Sequence, residues 1–248
     1  MTQATGHKRS ESLPRTARAR ARDELTREIK EEARRQVASH GAAGLSLRSV
    51  ARELGMVPSG LYRYYASRDD LLTALIVDAY DAIGAAGEAG DAARARGDLF
   101  GRWRAIFDAV RRWATAHPHE YALVYGTPVP GYRAPEVTVA HASRITLALA
   151  SVLQDGAASG LLSPPDLEAT LSPTVRDEAA RLLREIAPAI EPEAVFRGIS
   201  AWTLLFGTVS FELFGHLDGV VVDRAAFFEA TTVLSARLVG LPLEEQDA

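Results

Sequence analysis

Residues 44–72 read Gly44-Leu-Ser-Leu-Arg-Ser-Val-Ala-Arg-Glu-Leu-Gly-Met-Val-Pro-Ser-Gly-Leu-Tyr-Arg-Tyr-Tyr-Ala-Ser-Arg-Asp-Asp-Leu-Leu72. Ser46 stands ahead of an apolar pattern at Leu47, Val50, Ala51 and Leu54, where a hydroxyl caps a helix. Gly55 ends that helix, and after a short break Pro58 suits the first position of a second one. Leu61, Tyr62 and Tyr65 follow. Ser67-Arg68-Asp69-Asp70 is a capping box that opens a longer helix with Leu71, Leu72, Leu75, Ile76 and Ala79 on one side. A short helix, a glycine-containing turn and a second short helix form the geometry with which many proteins read DNA.

The residues of the second helix fit that use. Leu61 and Tyr65, one turn apart, anchor it inward, which leaves Ser59, Gly60, Tyr62, Arg63 and Tyr64. Small residues allow close approach to base edges, phenols donate to phosphate oxygens, and an arginine reads guanine or holds a phosphate. From spacing alone, a helical hairpin with half-buried tyrosines in an ordinary bundle is the more ordinary reading.

Upstream, Leu25, Ile29, Ala33 and Val37 recur every fourth residue from Asp23 to His40, with Asp23 as cap and Gly41 as stop. Downstream, Gly84 to Gly97 is Ala/Gly-rich and weakly patterned, which predicts a boundary between modules. Leu99, Trp103, Ile106, Val110 and Trp113 form a helical stripe halted at His117-Pro118, and a short helix carries Tyr121 to Tyr125. Residues 127–135 hold three prolines and are read as a loop. A long helix is predicted over Glu136–Ala158 with Val139 among its apolar positions, a Pro/Ser connection over Leu161–Pro173, and an amphipathic helix over Thr174–Ile186. Two helices close the chain, the first bearing Val195, Ile199, Trp202, Phe206, Val209, Leu213 and Leu217, the second Phe227, Leu234 and Leu238. No stretch alternates with period two, so the fold class is all-α: a three-helix N-terminal segment followed by a larger helical bundle.

Composition narrows the function. The 248 residues include no cysteine, which excludes disulfides, thiol nucleophiles and thiolate metal sites. The net charge of −4 hides an asymmetry: residues 1–22 carry six basic groups (Lys8, Arg9, Arg15, Arg18, Arg20, Arg22) against Glu11. Residues 23–70 balance, and the remainder is acidic, so a polyanion partner is expected at one end only, unless the tail is merely solvated. The Arg-rich N-terminus has no apolar export segment. The longest uncharged apolar-rich stretch, Ile199–Phe211, has 13 residues, short of the roughly 20 a membrane helix needs. The expectation is a soluble, cytoplasmic protein with no membrane partner. The six histidines show no metal-ligand spacing, and no GxGxxG after a strand, P-loop or GxSxG is present. The expectation is a protein that is not an enzyme, with no cofactor and no metal site.

The segment quoted above resembles the DNA-binding domain of the TetR family of bacterial transcriptional regulators. The resemblance is carried by Gly44, Ser46, Val50, Ala51, Leu54, Gly55, Leu61, Tyr62, Tyr64, Tyr65, Leu71 and Leu72. Tyr64 stands where histidine is common in the family and Arg68 where lysine is common; both keep a side chain able to meet a phosphate. The resemblance implies a basic arm over residues 1–21, a DNA-binding domain over 22–82 with its motif near 45–64, and an effector-binding and dimerisation domain over 98–240. Carried over by position, it implies backbone contacts from Ser46, Tyr62, Tyr64 and Arg68, and base or groove contacts from Arg48, Ser59, Gly60 and Arg63.

The C-terminal part resembles a ligand-domain subtype named for a Trp, a His and a Gly, through Trp202-Thr-Leu-Leu-Phe206-Gly207 and Tyr121 to Tyr132, with Phe206 in the histidine's place. The resemblance implies a homodimer through the last two helices, double-stranded operator DNA as partner, and a small-molecule effector that releases a repressor from a palindrome. Candidate effector-lining residues are Trp103, Phe107, Tyr121, Tyr125, His141, Trp202 and Phe206, each of which is also explained by core packing. The helix from Arg68 to Ile83 would join the two modules and act as the lever. A helical binding or scaffold protein with vestigial DNA binding is the alternative reading.

Overall fold

The structure, a computed structural model, describes residues 17–163, 172–186 and 192–243, and every regular element among them is helical. Two compact units divide the chain, the first ending at Leu71 and the second beginning at Leu72.

In the first unit, helix α1 (Ala17–His40) begins ahead of the predicted Asp23 cap. The run Ala17 to Arg22 alternates alanine and arginine, both strong helix formers, so propensity carries the helix upstream without a cap. Arg18, Arg20 and Arg22 therefore lie on or directly beside a helical turn where a flexible arm was expected, whereas Lys8, Arg9 and Arg15 lie outside the described residues. Helix α1 buries Ile29, Ala33 and Val37, the predicted stripe, together with Glu32 and Gln36. These two polar residues satisfy each other: the Gln36 amide donates to Glu32 at 3.1 Å, and Arg35 pairs with the same carboxylate at 2.6 Å. A 3-10 turn (Ala42–Gly44) leads to α2 (Leu47–Glu53) and α3 (Pro58–Leu61), and α4 (Arg68–Ala92) begins before the division. Leu45, Leu47, Val50, Ala51, Leu61 and Leu71 complete the buried set of this unit.

In the second unit α4 continues without a break to Ala92, although the composition beyond Gly84 predicted a boundary. The glycines there serve a close approach of helices. A Cβ on Gly87 would lie 2.4 Å from Ile145 Cδ1, and one on Gly90 would lie 2.7 Å from the Ala105 carbonyl oxygen. Helix α5 (Leu99–Ala116) is capped by Asp98, which accepts the Gly101 N–H at 2.8 Å. It is the centre of the bundle, with Trp103, Ile106, Phe107 and Val110 fully buried, and it packs against α6 (Pro118–Tyr125), α8 (Arg144–Ala158), α10 (Pro192–Leu213) and α11 (Arg224–Leu238). Helix α9 (Pro173–Ile186) packs on α10.

One expectation fails here for a physical reason. The single helix predicted over Glu136–Ala158 is two, α7 (Val137–Ala142) and α8, parted at Ser143. The Ser143 hydroxyl bonds back to the Val139 carbonyl at 2.8 Å, a local bond that competes with the helical ladder, and Val139 is exposed. Helix α11 presents part of its apolar stripe outward. Phe227 and Leu234 face outward, 41% and 58% exposed, and the buried side holds Phe228, Thr231, Thr232, Ser235 and Ala236. That polar side is satisfied: both threonine hydroxyls donate to carbonyls one turn back at 2.9 Å, and Ser235 accepts the Trp103 indole N–H at 2.9 Å. Helix α10 is long and apolar enough, by length and composition, to cross a membrane. Its apolarity is divided between two faces: Ala201, Leu205, Phe206 and Val209 are buried, whereas Phe196, Ile199 and Phe211 are exposed.

Candidate nucleic-acid interface

Local chemistry builds the helix-turn-helix. Ser46 caps α2, its hydroxyl accepting the Ser49 N–H at 3.4 Å. Gly55 has φ +64°, the left-handed region that an L-residue resists, and a Cβ there would meet open space. The constraint is therefore the backbone bend, which the Met56 N–H closes onto the Ala51 carbonyl at 2.8 Å. Pro58 takes the first turn of α3, Leu61 is wholly buried beneath it, and Ser67 caps α4 by accepting the Asp70 N–H at 3.1 Å.

The arginines of this unit include some bonded internally and some not. Arg27 pairs with Glu31, Arg35 with Glu32, Arg52 with Glu53 and Arg68 with Asp69. Arg48 and Arg63 are exposed and have neither ion pair nor hydrogen bond among the described residues. They stand at the start of α2 and just beyond α3, close in sequence to exposed Ser59, partly buried Gly60 and Tyr62, which is 46% exposed. Unpaired guanidiniums in the same motif as a half-exposed phenol and two small residues offer donors to phosphate oxygens and base edges without an intramolecular bond having to break. Tyr64 is half-buried, and the Arg22 guanidinium lies over its ring at 5.2 Å, a cation–π contact that brings the start of α1 beside α3.

Arg68, whose position implied a phosphate contact, is also bonded within the unit. Its Nη2 donates to the Ala42 carbonyl at 2.8 Å and its Nε to the Leu45 carbonyl at 3.2 Å, with Nη1 on Asp69. Those bonds hold the turn that sets the start of α2, a role visible only once the chain is folded.

The effector candidates separate into three places in the second unit. Trp103 and Phe107, stacked with ring centroids 5.4 Å apart, are core residues between α5 and α11. Tyr121, Tyr125, Trp202 and Phe206 form one aromatic cluster: Tyr125 stacks on Phe206 at 4.1 Å, with Tyr121 and Trp202 at its sides. Tyr80 of α4 joins it edge-on to Tyr125 at 6.0 Å, a member that sequence reading missed because Tyr80 sits one turn beyond Ile76 on an apparently plain core stripe. The Tyr121 hydroxyl is bonded to the Phe206 carbonyl and Ser210, and burial pushes it up to about 12 despite the Ser210 bond. Burial, then the neighbouring Tyr80 and Tyr121, push Tyr125 higher still, and its hydroxyl has no hydrogen-bond partner among the described residues.

His141 lies apart from this cluster. Its Nδ1 meets Asp81 at 2.8 Å, and Arg144 bridges Asp81 at 2.9 Å and Glu88 at 2.6 Å, tying α7 and α8 to α4. Burial raises the Asp81 carboxyl, but hydrogen bonds from His141 and Arg144 outweigh it and hold the group below its ordinary range.

Comparison with known proteins agrees with this architecture. Residues 29–75 match the family model described as bacterial regulatory proteins, tetR family, and residues 103–234 match the tetracyclin repressor-like C-terminal domain. The chain is 38% identical over 221 residues to the HTH-type transcriptional regulator Rv1816 of Mycobacterium tuberculosis (strain ATCC 25618 / H37Rv), covering 86% of this chain and 92% of that protein. The regulator Mb1846 of Mycobacterium bovis (strain ATCC BAA-935 / AF2122/97) matches with the same values. Among solved structures, the putative regulatory protein SCO4313 shares 35% identity with a TM-score of 0.70, over 89% of this chain and 98% of that one. With two family models lying end to end on the chain and a relative spanning most of its length, the protein belongs to the TetR family and is a DNA-binding transcriptional regulator.

Proposed function

We propose that the protein is a homodimeric repressor that reads a palindromic operator with α2 and α3 and releases it when a small molecule binds the second unit. The observation that carries the DNA assignment is the pair of unpartnered arginines, Arg48 and Arg63, in a unit whose arginines at 27, 35, 52 and 68 are bonded internally. Arg48, Ser59, Gly60 and Arg63 are assigned to base edges or the groove, and Ser46, Tyr62 and Tyr64 to the phosphate backbone. The fold does not require glycine at position 60, since a Cβ there would meet only Met56 and Val57 side chains at 3.6 Å. Its smallness is therefore available for close approach to DNA.

Dimerisation is assigned to the outward faces of α10 and α11. Ile199, Phe211, Phe227 and Leu234 are exposed there, while α11 turns its threonines and Ser235 inward. A second copy covering these faces gives the apolar residues the burial that the monomer denies them. Effector binding is assigned to the cluster around the unpartnered Tyr125 hydroxyl, and its signal to the Asp81 and Glu88 links between α7–α8 and α4. A coupling of about 1–3 kcal/mol between effector and operator is typical of such linkage. The site of action is the cytoplasm, beside the chromosome.

Selection of bound duplexes from a random pool tests the assignment. The expected product is a palindrome. On it, Tyr62→Phe should weaken binding about tenfold per half-site and equally on random DNA, the cost of one bond to a charged group in each copy. Arg48→Ala and Arg63→Ala should instead cost about 1–3 kcal/mol per contact on the selected duplex and relax preference at one base pair each. Equal losses of all three variants on selected and random duplexes would remove the base-reading role.

A further inference from the structure

The tip of α3 departs from a local rule with no structural return. Val57 occupies its N-cap position, where Ser, Thr, Asp or Asn would accept a backbone N–H, and it makes no capping bond. Nor does it bury itself, being 69% exposed. Pro58 and Ser59 beside it are also exposed, and Gly60 has no side chain, so the leading edge of α3 carries no charge before Arg63. A residue that gives up both a cap and burial, at the end of the helix that meets base edges, is expected to be held there by its partner.

We propose that Val57 is a specificity residue that packs against the C5-methyl group of a thymine in the major groove. This rests on the DNA-reading assignment above. Thymine is the base whose major-groove edge presents an apolar group, and small aliphatic side chains are its natural partners. Val57 has no donor for a phosphate oxygen or a base acceptor, so burial of apolar surface is what it can contribute.

The test replaces each thymine of the selected duplex by deoxyuridine, symmetrically in both half-sites, which removes the methyl and leaves pairing and hydrogen-bonding edges unchanged. At one position the wild-type protein should lose about fourfold per half-site, about fifteenfold for both, the worth of one buried methyl in each. Val57→Ala, which lacks the two γ-methyls that would reach the thymine methyl, should be weaker on the thymine duplex and indifferent to that replacement. Val57→Ser, which restores a capping hydroxyl, should unfold no earlier than wild type and show the same indifference, which separates the effect from loss of fold. If the wild type tolerates uracil at every position, or if wild type and Val57→Ala lose equally at each, the role of Val57 is overturned while DNA reading stands. If no sequence emerges from the pool, the DNA-reading assignment itself fails and this inference with it.

Discussion

Leu234→Glu is expected to give a folded monomer that no longer holds an operator. Leu234 is 58% exposed on the outer side of α11, with Phe227 two turns before it, and the polar residues on the buried side of the same helix are internally bonded. In a monomer an exposed substitution of this kind changes stability by about 0.5 kcal/mol or less. In a dimer closed over this face, each copy places an unpaired carboxylate in an apolar interface, at several kcal/mol apiece, and the two-fold symmetry doubles it. Sedimentation should therefore report a particle near the chain mass of 26.7 kDa with undiminished helical circular dichroism. Operator affinity should fall more than a hundredfold, because two recognition helices must be held at the spacing of successive grooves. A variant that sediments as a dimer of unchanged affinity would place the interface elsewhere.

Arg102→Ala is expected to cost the second unit about 3–5 kcal/mol, the usual result of removing one partner from a buried ionic cluster. Arg102 is only 2% exposed. Its guanidinium donates to both Asp91 oxygens at 2.6 and 3.3 Å, to Asp155 at 2.7 Å and to the Arg96 carbonyl at 3.1 Å. It thereby joins the end of α4, the start of α5 and the end of α8. Alanine leaves the two carboxylates without that counter-ion, although Arg96 still meets Asp155 at 2.7 Å.

The pH dependence separates this cause from a mere loss of packing. Burial raises the Asp155 carboxyl, but hydrogen bonds from Arg102 and Arg96 outweigh it, so the folded group titrates below its ordinary 3.8. A depressed folded value contributes stability above the unfolded value and loses it as pH falls through the folded one. The wild type should thus lose this stability on acidification below about pH 4. The variant, whose carboxylates lack Arg102, has less to lose, so the gap between the two should narrow in acid. Denaturant midpoints at pH 7 and pH 3.5 measure both; a gap that stays constant would mean that Arg102 acts through packing alone.

The elements that could be read in the sequence are those decided by neighbours along the chain. Ser46, Gly55, Pro58 and Ser67 each act within three or four residues, and each does in the fold what its type and position predicted. What could not be read there has tertiary causes. Gly87 and Gly90 weaken a helical pattern on paper, yet they sit in α4 because α8 and α5 come too close for a side chain. The apolar stripe of α11 could be read locally, but nothing local says that Thr232 and Ser235 will be satisfied on its buried side beneath Trp103. Arg68, at a position that implies a phosphate contact, also bonds two carbonyls more than twenty residues away, which no local pattern announces. Tyr80 and Tyr125 meet across 45 positions, a pairing no periodicity encodes.

Footprinting of the protein on its selected duplex, with the protein-to-duplex stoichiometry measured on the same complex, tests the central claim most directly. The account predicts chains in even number on each duplex and two protected half-sites related by a dyad. Their centres should lie about 10–10.5 base pairs apart, or a whole multiple of that. A single chain per duplex, or protection without two-fold symmetry, would contradict it.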